Sequence, residues 1–528
     1  MNMKYKVIVC DHIHQSGLDL LSTQSDIQME NLASLPKSEL LTKIADADVV
    51  ITRSSTDVDE VFLESSGNIR AVVRAGVGVD NVNIDGCSRK GIVVMNVPTA
   101  NTIAAVELTM AHLINSVRNF PGANAQLKNE RKWKREDWYG IELKGKKLGI
   151  IGFGNIGSRV GIRAKAFEME VVAYDPYILA SKATDLGIAY TKNFDEILSC
   201  DIITIHTPKN AETKDMIKAA QIAKMKDGVI LINCARGGLY NEKDLYDALK
   251  SGKIKWAGID VFNKEPAIDN VLLDLPNVYV TPHIGANTLE SQEQIAIQAA
   301  EAAIEAARGS SYPNALNLPI KESEMPSMMK PYFELMQKLG FLAAQANRGV
   351  ITSIYIEAQG EVGEYADSLQ TFALVGALNA SLGDKINYVN APFVAKERGI
   401  DVKVCSKQES DTYKNRICIT LSTENESISL SGTVFEDKHL RLTSVNQFQF
   451  DIEPKGSIIL FRNTDVPGVI GLVGSILGNH KVNIADFRLA RQNKEAMAVI
   501  LVDSQVPAEA LKQLGEIPAA LNVKMLNL

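Results

Sequence analysis

The amino-acid sequence predicts an α/β protein with two doubly wound parallel-sheet domains, one inserted in the other, followed by two smaller α+β units. Three observations predict it. Through about the first 300 residues, short and nearly continuous apolar runs alternate with helical patterns, as parallel strands covered on both faces require. Those runs fall into two separate series. At 528 residues the chain also exceeds the roughly 250–300 residues that one hydrophobic core sustains, so three or four domains are expected.

The first series of strands is Tyr5–Cys10, Asp48–Ile51, Arg70–Val73 and Ile92–Val94, followed by a helix from Asn101 to Val117. The second is Lys147–Ile151, Glu170–Tyr174, Ile202–Ile205, Val229–Ile232, Trp256–Ile259 and Val278–Thr281. A long Ala- and Glu-rich helix, Leu289–Arg308, is expected to return to the first domain, which makes the second an insertion. Gly309 to Pro313 and Pro319 read as a linker. A mixed region follows, with hairpin-like strands at Arg416–Leu421 and Ser427–Val434. From about 456 the pattern reads strand, helix, strand, strand, helix, strand, the order of a ferredoxin-like unit. The expected boundaries are 1–98 with 287–318, 99–286, 319–453 and 454–528.

Composition excludes several classes. Hydrophobic residues make up 46% and charged residues 23%, as in ordinary globular proteins. A net charge of −7, from 56 basic and 63 acidic residues, argues against nucleic acid as a partner. No apolar run reaches membrane-spanning length and none reads as a signal peptide, so no membrane partner is expected and the cytoplasm is the default compartment. The six cysteines are scattered without a Cys-x-x-Cys pair, which predicts neither a disulfide framework nor a metal site.

The most informative motif is Gly152-Phe-Gly154-Asn-Ile-Gly157. It ends an apolar strand, opens a helix over Ser158–Ala166, and precedes Asp175 at the end of the next strand. Gly152 allows the tight turn, Gly154 lets backbone approach a pyrophosphate, and Gly157 lets helix and strand pack closely. The helix start offers free N–H groups to phosphate. Asp175 can accept from both ribose hydroxyls and repel a 2′-phosphate, and no arginine follows it, so the predicted cofactor is NAD rather than NADP.

Catalytic groups stand at the ends of later strands: Arg236 in Asn233-Cys-Ala-Arg-Gly-Gly, Glu265 in Asp260-Val-Phe-Asn-Lys-Glu-Pro, and His283 in Pro282-His-Ile-Gly-Ala. Ligands of open α/β sheets bind outside the carboxyl ends of the strands, so all three should face one crevice. Oxidising a 2-hydroxy acid needs a base for the hydroxyl proton, which suits His283. A carboxylate such as Glu265 would orient that ring. Arg236 can grip the substrate carboxylate through two parallel N–H bonds.

The set GFGNIG, HTP (His206–Pro208), NCARGG, DVFNKEP and TPHIGA resembles the D-isomer-specific 2-hydroxyacid dehydrogenase family. The resemblance narrows to its phosphoglycerate dehydrogenase branch in the first domain, at Arg53-Ser54, Arg74-Ala-Gly76-Val-Gly78-Val-Asp80-Asn81 and Asn96-Val-Pro-Thr-Ala-Asn101. It continues through Val389-Asn-Ala-Pro392 and Ala395-Lys-Glu-Arg398, similar to that branch's intervening domain. It ends at Asn463-Thr-Asp465-Val-Pro467-Gly468 and Val482-Asn483-Ile-Ala485, similar to an ACT domain. The resemblance implies a substrate-binding outer domain, an inserted Rossmann NAD domain, and catalysis by Arg236, Glu265 and His283. It implies NAD contacts at Val77, Asn155, Ile156, Asp175, His206, Thr207, Cys234, Ala235, Arg236, Asp260, His283, Ile284, Gly285 and Ala286. Val77 stands where the family often has threonine.

Charge points to the substrate. A phosphorylated hydroxy acid carries about three negative charges and needs more cation than Arg236 supplies; Arg53 and Arg74 sit at strand ends that should face the same cleft. Ser54, Gly76 and Asn101 accompany them in the resembling motifs, and the basic cluster Arg131–Arg135 offers Arg135, from a neighbouring subunit. The expected substrate is therefore 3-phosphoglycerate, with hydroxypyruvate, glyoxylate or 2-oxoglutarate reduction as alternatives and a NAD-sensing corepressor as the non-enzymatic one. The family implies a dimer or tetramer. In the terminal unit the helix start after Gly468 suits a carboxylate, Asp465 an ammonium, and Asn483 either hydrogen-bonding role. By resemblance these positions, with Asn463, hold L-serine as effector. Lys396 and Arg398 are read as surface charge in the intervening domain.

Overall fold

The computed structural model describes residues 5–320, 325–383, 386–410 and 412–528. The first sheet has five parallel strands in the order Ile27–Asn31, Tyr5–Val9, Val49–Thr52, Ala71–Arg74, Val93–Asn96. The apolar residues of its central strands, 7–9, 49–51 and 71–73, are buried because both faces of the sheet are covered. The helix Leu289–Arg308 packs on this sheet. A row of buried alanines, including Ala296, Ala299, Ala300, Ala303 and Ala307, lets it lie close. Its ends are marked in the sequence: Thr288 caps Ser291 N–H, and Gly309 takes the left-handed conformation that closes the helix.

The second sheet has seven parallel strands in the order Val278–Val280, Ile254–Ile259, Val229–Asn233, Ile202–Ile205, Lys147–Ile151, Glu170–Tyr174, Ala189–Thr191. Strand order reverses between Lys147–Ile151 and Ile202–Ile205, and the crevice at that switch point is where such sheets bind ligands. In these two sheets two strands escape the sequence reading, Ile27–Asn31 and Ala189–Thr191. Both lie at sheet edges, where one side is unpaired and polar residues such as Gln28 and Glu30 are tolerated.

The next unit is a six-stranded mixed sheet, ordered Asp401–Lys407, Ile351–Gln359, Arg416–Thr423, Ser427–Phe435, His439–Val445, Phe448–Ile452. Two helices, Met329–Ala346 and Ala366–Leu382, cover it. They meet backbone to backbone: a Cβ on Gly340 would fall 2.4 Å from the Ala373 carbonyl oxygen, and one on Gly376 2.0 Å from that of Gln337. The expected hairpin forms between Arg416–Thr423 and Ser427–Phe435, but the region also holds a parallel pair, Ile351–Gln359 with Asp401–Lys407.

The terminal unit is a four-stranded antiparallel sheet, ordered Ile484–Gln492, Glu495–Val502, Ser457–Thr464, Ala520–Asn527. Helices Val469–Asn479 and Ala508–Gly515 alternate with the strands in the expected order. Successive residues of Ser457–Thr464 point opposite ways: Ile459 and Phe461 join the core under these helices, while Ile458 and Leu460 join the core of the preceding unit. Across that seam the Lys524 ammonium meets Glu426 at 2.6 Å and the Ala346 carbonyl, and Gln345 exchanges two hydrogen bonds with the Asn527 backbone. Among the described residues no helix is long and apolar enough to cross a membrane, and no His, Cys, Asp and Glu side chains group as metal ligands. All six cysteines are free thiols.

Candidate active site

The glycine loop is shaped by its neighbours. Gly152 has φ +86°, and a Cβ there would meet the His206 carbonyl oxygen at 2.7 Å. A Cβ on Gly157 would lie 2.1 Å from the Gly152 carbonyl oxygen. Protein contacts therefore exclude any side chain at both positions. Gly154 differs, because nothing among the described residues lies within 4 Å of its missing Cβ. Chain packing does not demand glycine there, and the backbone is open to close approach by a phosphate group. The helix Asn155–Ala166 starts at that open edge, three residues earlier than the sequence suggested, with Gly154 as N-cap and no side chain capping its first N–H groups.

Asp175 closes the far side. Its carboxylate accepts from Phe153 N–H at 2.9 Å and Tyr177 N–H at 3.0 Å, which holds it beside the loop. The buried Thr207 hydroxyl has no partner among the described residues. Burial depresses the neighbouring His206 to about 3, so this imidazole is neutral; its Nε2 lies 3.0 Å from Thr204 Oγ1. An open glycine, a free helix start, an acidic strand end and an orphaned hydroxyl together fit a dinucleotide.

A cleft of about 710 Å³ opens where residues following the strands Val229–Asn233, Ile254–Ile259 and Val278–Val280 meet loops of the first sheet. Its lining brings together Arg53, Ser54, Arg74, Gly76, Val77, Asn101, Arg236, Glu265, His283 and Ala286. Arg74 ends the strand Ala71–Arg74, and Arg53 follows Val49–Thr52 directly. Asp11 fixes the Arg53 loop by accepting from Arg53 N–H, Thr56 N–H at 3.1 Å and the Thr56 hydroxyl at 2.6 Å. Arg74 is pushed down to about 10, by burial first and then by repulsion from Arg236 and Arg53. It remains a cation at neutral pH, in a site that favours a multiply charged anion. Arg74 Nε and Asn101 Oδ1 are buried without partners among the described residues, and both belong to this lining.

His283 Nδ1 lies 2.7 Å from Glu265 Oε2. Burial opposes ionisation of Glu265, but bonds from His283 and from Phe262 N–H outweigh it and hold the carboxyl below its ordinary value. An ionised Glu265 only accepts; Nδ1 therefore carries the proton, and Nε2 is left for a substrate. His283 has φ +53°, an uncommon backbone state for a residue with a side chain. It is held by His283 N–H donating to the Asp260 carbonyl at 2.9 Å. The Asp260 carboxylate accepts from Ile284 N–H at 2.9 Å and Gly285 N–H at 3.0 Å. Arg236 Nε donates to Asp80 Oδ2 at 3.1 Å, and one of its terminal nitrogens donates to the Ala235 carbonyl at 2.7 Å.

Similarity to known proteins agrees with this geometry. Residues 110–285 match the model of the D-isomer specific 2-hydroxyacid dehydrogenase NAD binding domain. Residues 328–446 match the D-3-phosphoglycerate dehydrogenase intervening domain, and 457–519 the ACT domain. A D-3-phosphoglycerate dehydrogenase of Methanocaldococcus jannaschii is 38% identical over 99% of this chain and 100% of its own. One of Bacillus subtilis is 36% identical over the same shares. The chain belongs to the D-3-phosphoglycerate dehydrogenase family. It is an NAD-dependent dehydrogenase. Among solved structures, the TT0316 protein of Thermus thermophilus is 30% identical with TM-score 0.54, covering 59% of this chain and 99% of its own. A D-lactate dehydrogenase of Aquifex aeolicus, solved with NAD and lactic acid, is 28% identical with TM-score 0.52, covering 58% and 96%.

Other residues singled out in the sequence lie as follows. Asn155 and Ile156 form the first turn after the loop. Cys234 is buried in the core beside Ile230 and Ile232, and burial raises its thiol well above the ordinary range. The Val77 carbonyl accepts from Asn96 Nδ2 at 2.7 Å. Arg135 is not brought to the cleft of its own chain; it begins an exposed turn, Arg135–Trp138. In the terminal unit, Asn463 and Asp465 line a small cleft of about 120 Å³ with Gly468 and Arg491. Asn483 lies outside that lining and donates to Asp503 at 2.6 Å. The sequence reading missed Asp80, although it stands inside a motif already quoted, and Arg491, whose Nε is 3.5 Å from Asp465. Arg491 carries no local signal, because only strand pairing sets it across from the Asp465 loop.

Proposed function

We propose that the chain oxidises 3-phospho-D-glycerate to 3-phosphonooxypyruvate with NAD, the first step of L-serine biosynthesis. The observation that carries this reading is the convergence of Arg53, Arg74 and Arg236 on the cleft that holds the His283–Glu265 pair. Arg236 would exchange its Asp80 contact for the substrate carboxylate, and Arg53 and Arg74 would face the phosphate. His283 Nε2 takes the C2 hydroxyl proton, and Glu265 stabilises the ring that becomes charged. NAD, when bound, supplies the carbon that receives the C2 hydride. Gly152, Gly154, Gly157, Asn155, Ile156, Asp175 and Thr207 would hold it, with Asp260 and Ile284 to Ala286 at the nicotinamide end.

NADH formation should appear with 3-phosphoglycerate and be much slower with glycerate or lactate. No NADH from 3-phosphoglycerate would end the proposal. Asp175→Ala should weaken NAD and bring NADP nearer parity, since the ribose bonds and the charge repulsion disappear together. The ratio of kcat/KM for the two cofactors measures this, and an unchanged ratio counts against Asp175.

The same proposal assigns the chain to the cytoplasm and to a homo-oligomer, dimer or tetramer. Helix Phe120–Glu130 buries none of its residues, and Phe120, Trp133 and Tyr139 are exposed, which supports a neighbouring subunit over this segment and a role there for Arg135. L-serine is proposed to bind the cleft between Asn463, Asp465 and Gly468, with its carboxylate at the helix start. Asn483 would be contributed across an interface. Inhibition requires that serine favour one state of the enzyme, typically by about 1–3 kcal/mol. Calorimetry should show binding to wild type and affinity lowered at least about tenfold in Asp465→Ala, since hydrogen bonds to charged groups contribute about 1.5–3 kcal/mol. No heat and no inhibition at millimolar serine would remove the regulatory part alone.

A further inference from the structure

Behind the catalytic turn lies a buried chain of hydrogen bonds that the reaction as described leaves unused. His112 sits on helix Thr102–Arg118 and is almost fully buried. Its Nε2 is 2.9 Å from Thr281 Oγ1. Thr281 Oγ1 in turn donates to Asp260 Oδ1 at 2.6 Å. A hydroxyl has one proton to give. Since Thr281 gives it to Asp260, His112 must be the donor to Thr281, which fixes the neutral tautomer protonated on Nε2. Burial holds the imidazole down at about 4, so it is neutral whenever the enzyme is at neutral pH.

We propose that His112 and Thr281 are positioning residues that set the Asp260 carboxylate for the nicotinamide end of NAD. Asp260 already receives Ile284 N–H on Oδ1 and Gly285 N–H on Oδ2. Those bonds hold the carboxylate from the turn side; the Thr281 hydroxyl holds it from the strand side. Without His112 as donor, that hydroxyl is free to rotate away, and the carboxylate loses its third anchor. The side chain lies close over Gly258, where a Cβ would fall 2.9 Å from His112 Cβ and 3.0 Å from its Nδ1, so glycine there makes room for it. The helix that carries His112 begins directly after Asn101, which lines the substrate cleft, so this contact joins that helix to the cofactor end of the site.

The inference rests on Asp260 contacting the cofactor, and the experiment separates the two. NADH dissociation constants from fluorescence titration, with KM values for both substrates, are measured for His112→Leu, His112→Gln, Thr281→Val, Thr281→Ser and Asp260→Asn. His112→Leu and Thr281→Val should weaken NADH about 5–20-fold and leave KM for the hydroxy acid within about twofold, since one charge-assisted contact is loosened and not abolished. His112→Gln, which keeps a side-chain N–H donor, and Thr281→Ser should stay within about threefold of wild type. Wild-type NADH affinity in His112→Leu, or equal weakening in His112→Leu and His112→Gln, overturns the relay. If Asp260→Asn leaves NADH affinity unchanged, the reading of Asp260 falls and takes the relay with it. Should His112→Leu fail to fold, the two Thr281 variants read the same step.

Discussion

His283→Ala lowers kcat by about 10²–10⁴, the usual contribution of a positioned acid–base group, while NADH binds as before. This corresponds to roughly 2.7–5.4 kcal/mol of barrier. The size follows from the geometry: the ring carries its proton on Nδ1, bonded to Glu265 Oε2 at 2.7 Å, and Nε2 is the atom left to take a proton. Water entering the truncated site would be an unoriented and weaker base, without the ring that links the proton to Glu265 Oε2. Single-turnover measurement of NADH formation gives the chemical step directly. Turnover within about threefold of wild type would remove His283 from the mechanism.

Arg236→Lys raises KM for the hydroxy acid and lowers kcat/KM by roughly 10–150-fold, the equivalent of about 1.5–3 kcal/mol for a lost charged hydrogen bond. Lysine keeps the charge but presents a point rather than a fork, so it cannot meet both carboxylate oxygens in parallel. The structure adds a second reason. Arg236 is held in place by Asp80 at 3.1 Å and by the Ala235 carbonyl at 2.7 Å, contacts that match a guanidinium. Steady-state kinetics on Arg236→Lys at saturating NAD separates the two parameters, and an unchanged KM would argue that the carboxylate binds elsewhere.

Much of this was legible in the sequence, and the reasons differ by region. Buried parallel strands such as Lys147–Ile151 and Ile202–Ile205 read at their true bounds, because both faces are covered and, apart from Lys147 and Thr204, their residues carry no polar side chain. The glycine loop was legible because two of its three glycines are forced by local packing. Helix Ala366–Leu382 was not anticipated. It is buried against both the sheet and the neighbouring helix Met329–Ala346, so it lacks the one-sided periodicity that marks a surface helix. Site partners set by strand pairing or loop approach were equally silent: Asp80 reaches Arg236 across 156 positions of sequence. Asn483 was grouped with Asp465 by motif alone, and within one chain it turns to Asp503.

The alternation of Ile458 and Ile459 between two different cores has a consequence for how the chain can be cut or rearranged. A sheet with one face on its own helices and the other on its neighbour is a shared wall. Ending the polypeptide near 454 would strip Ile458, Leu460, Val499 and Leu501 from the preceding unit and leave that unit with a raw apolar flank, prone to aggregate. The terminal unit is thus no detachable accessory: shortened versions of this enzyme should be sought by removing both C-terminal units together, at the linker after the helix Leu289–Arg308, rather than the last one alone.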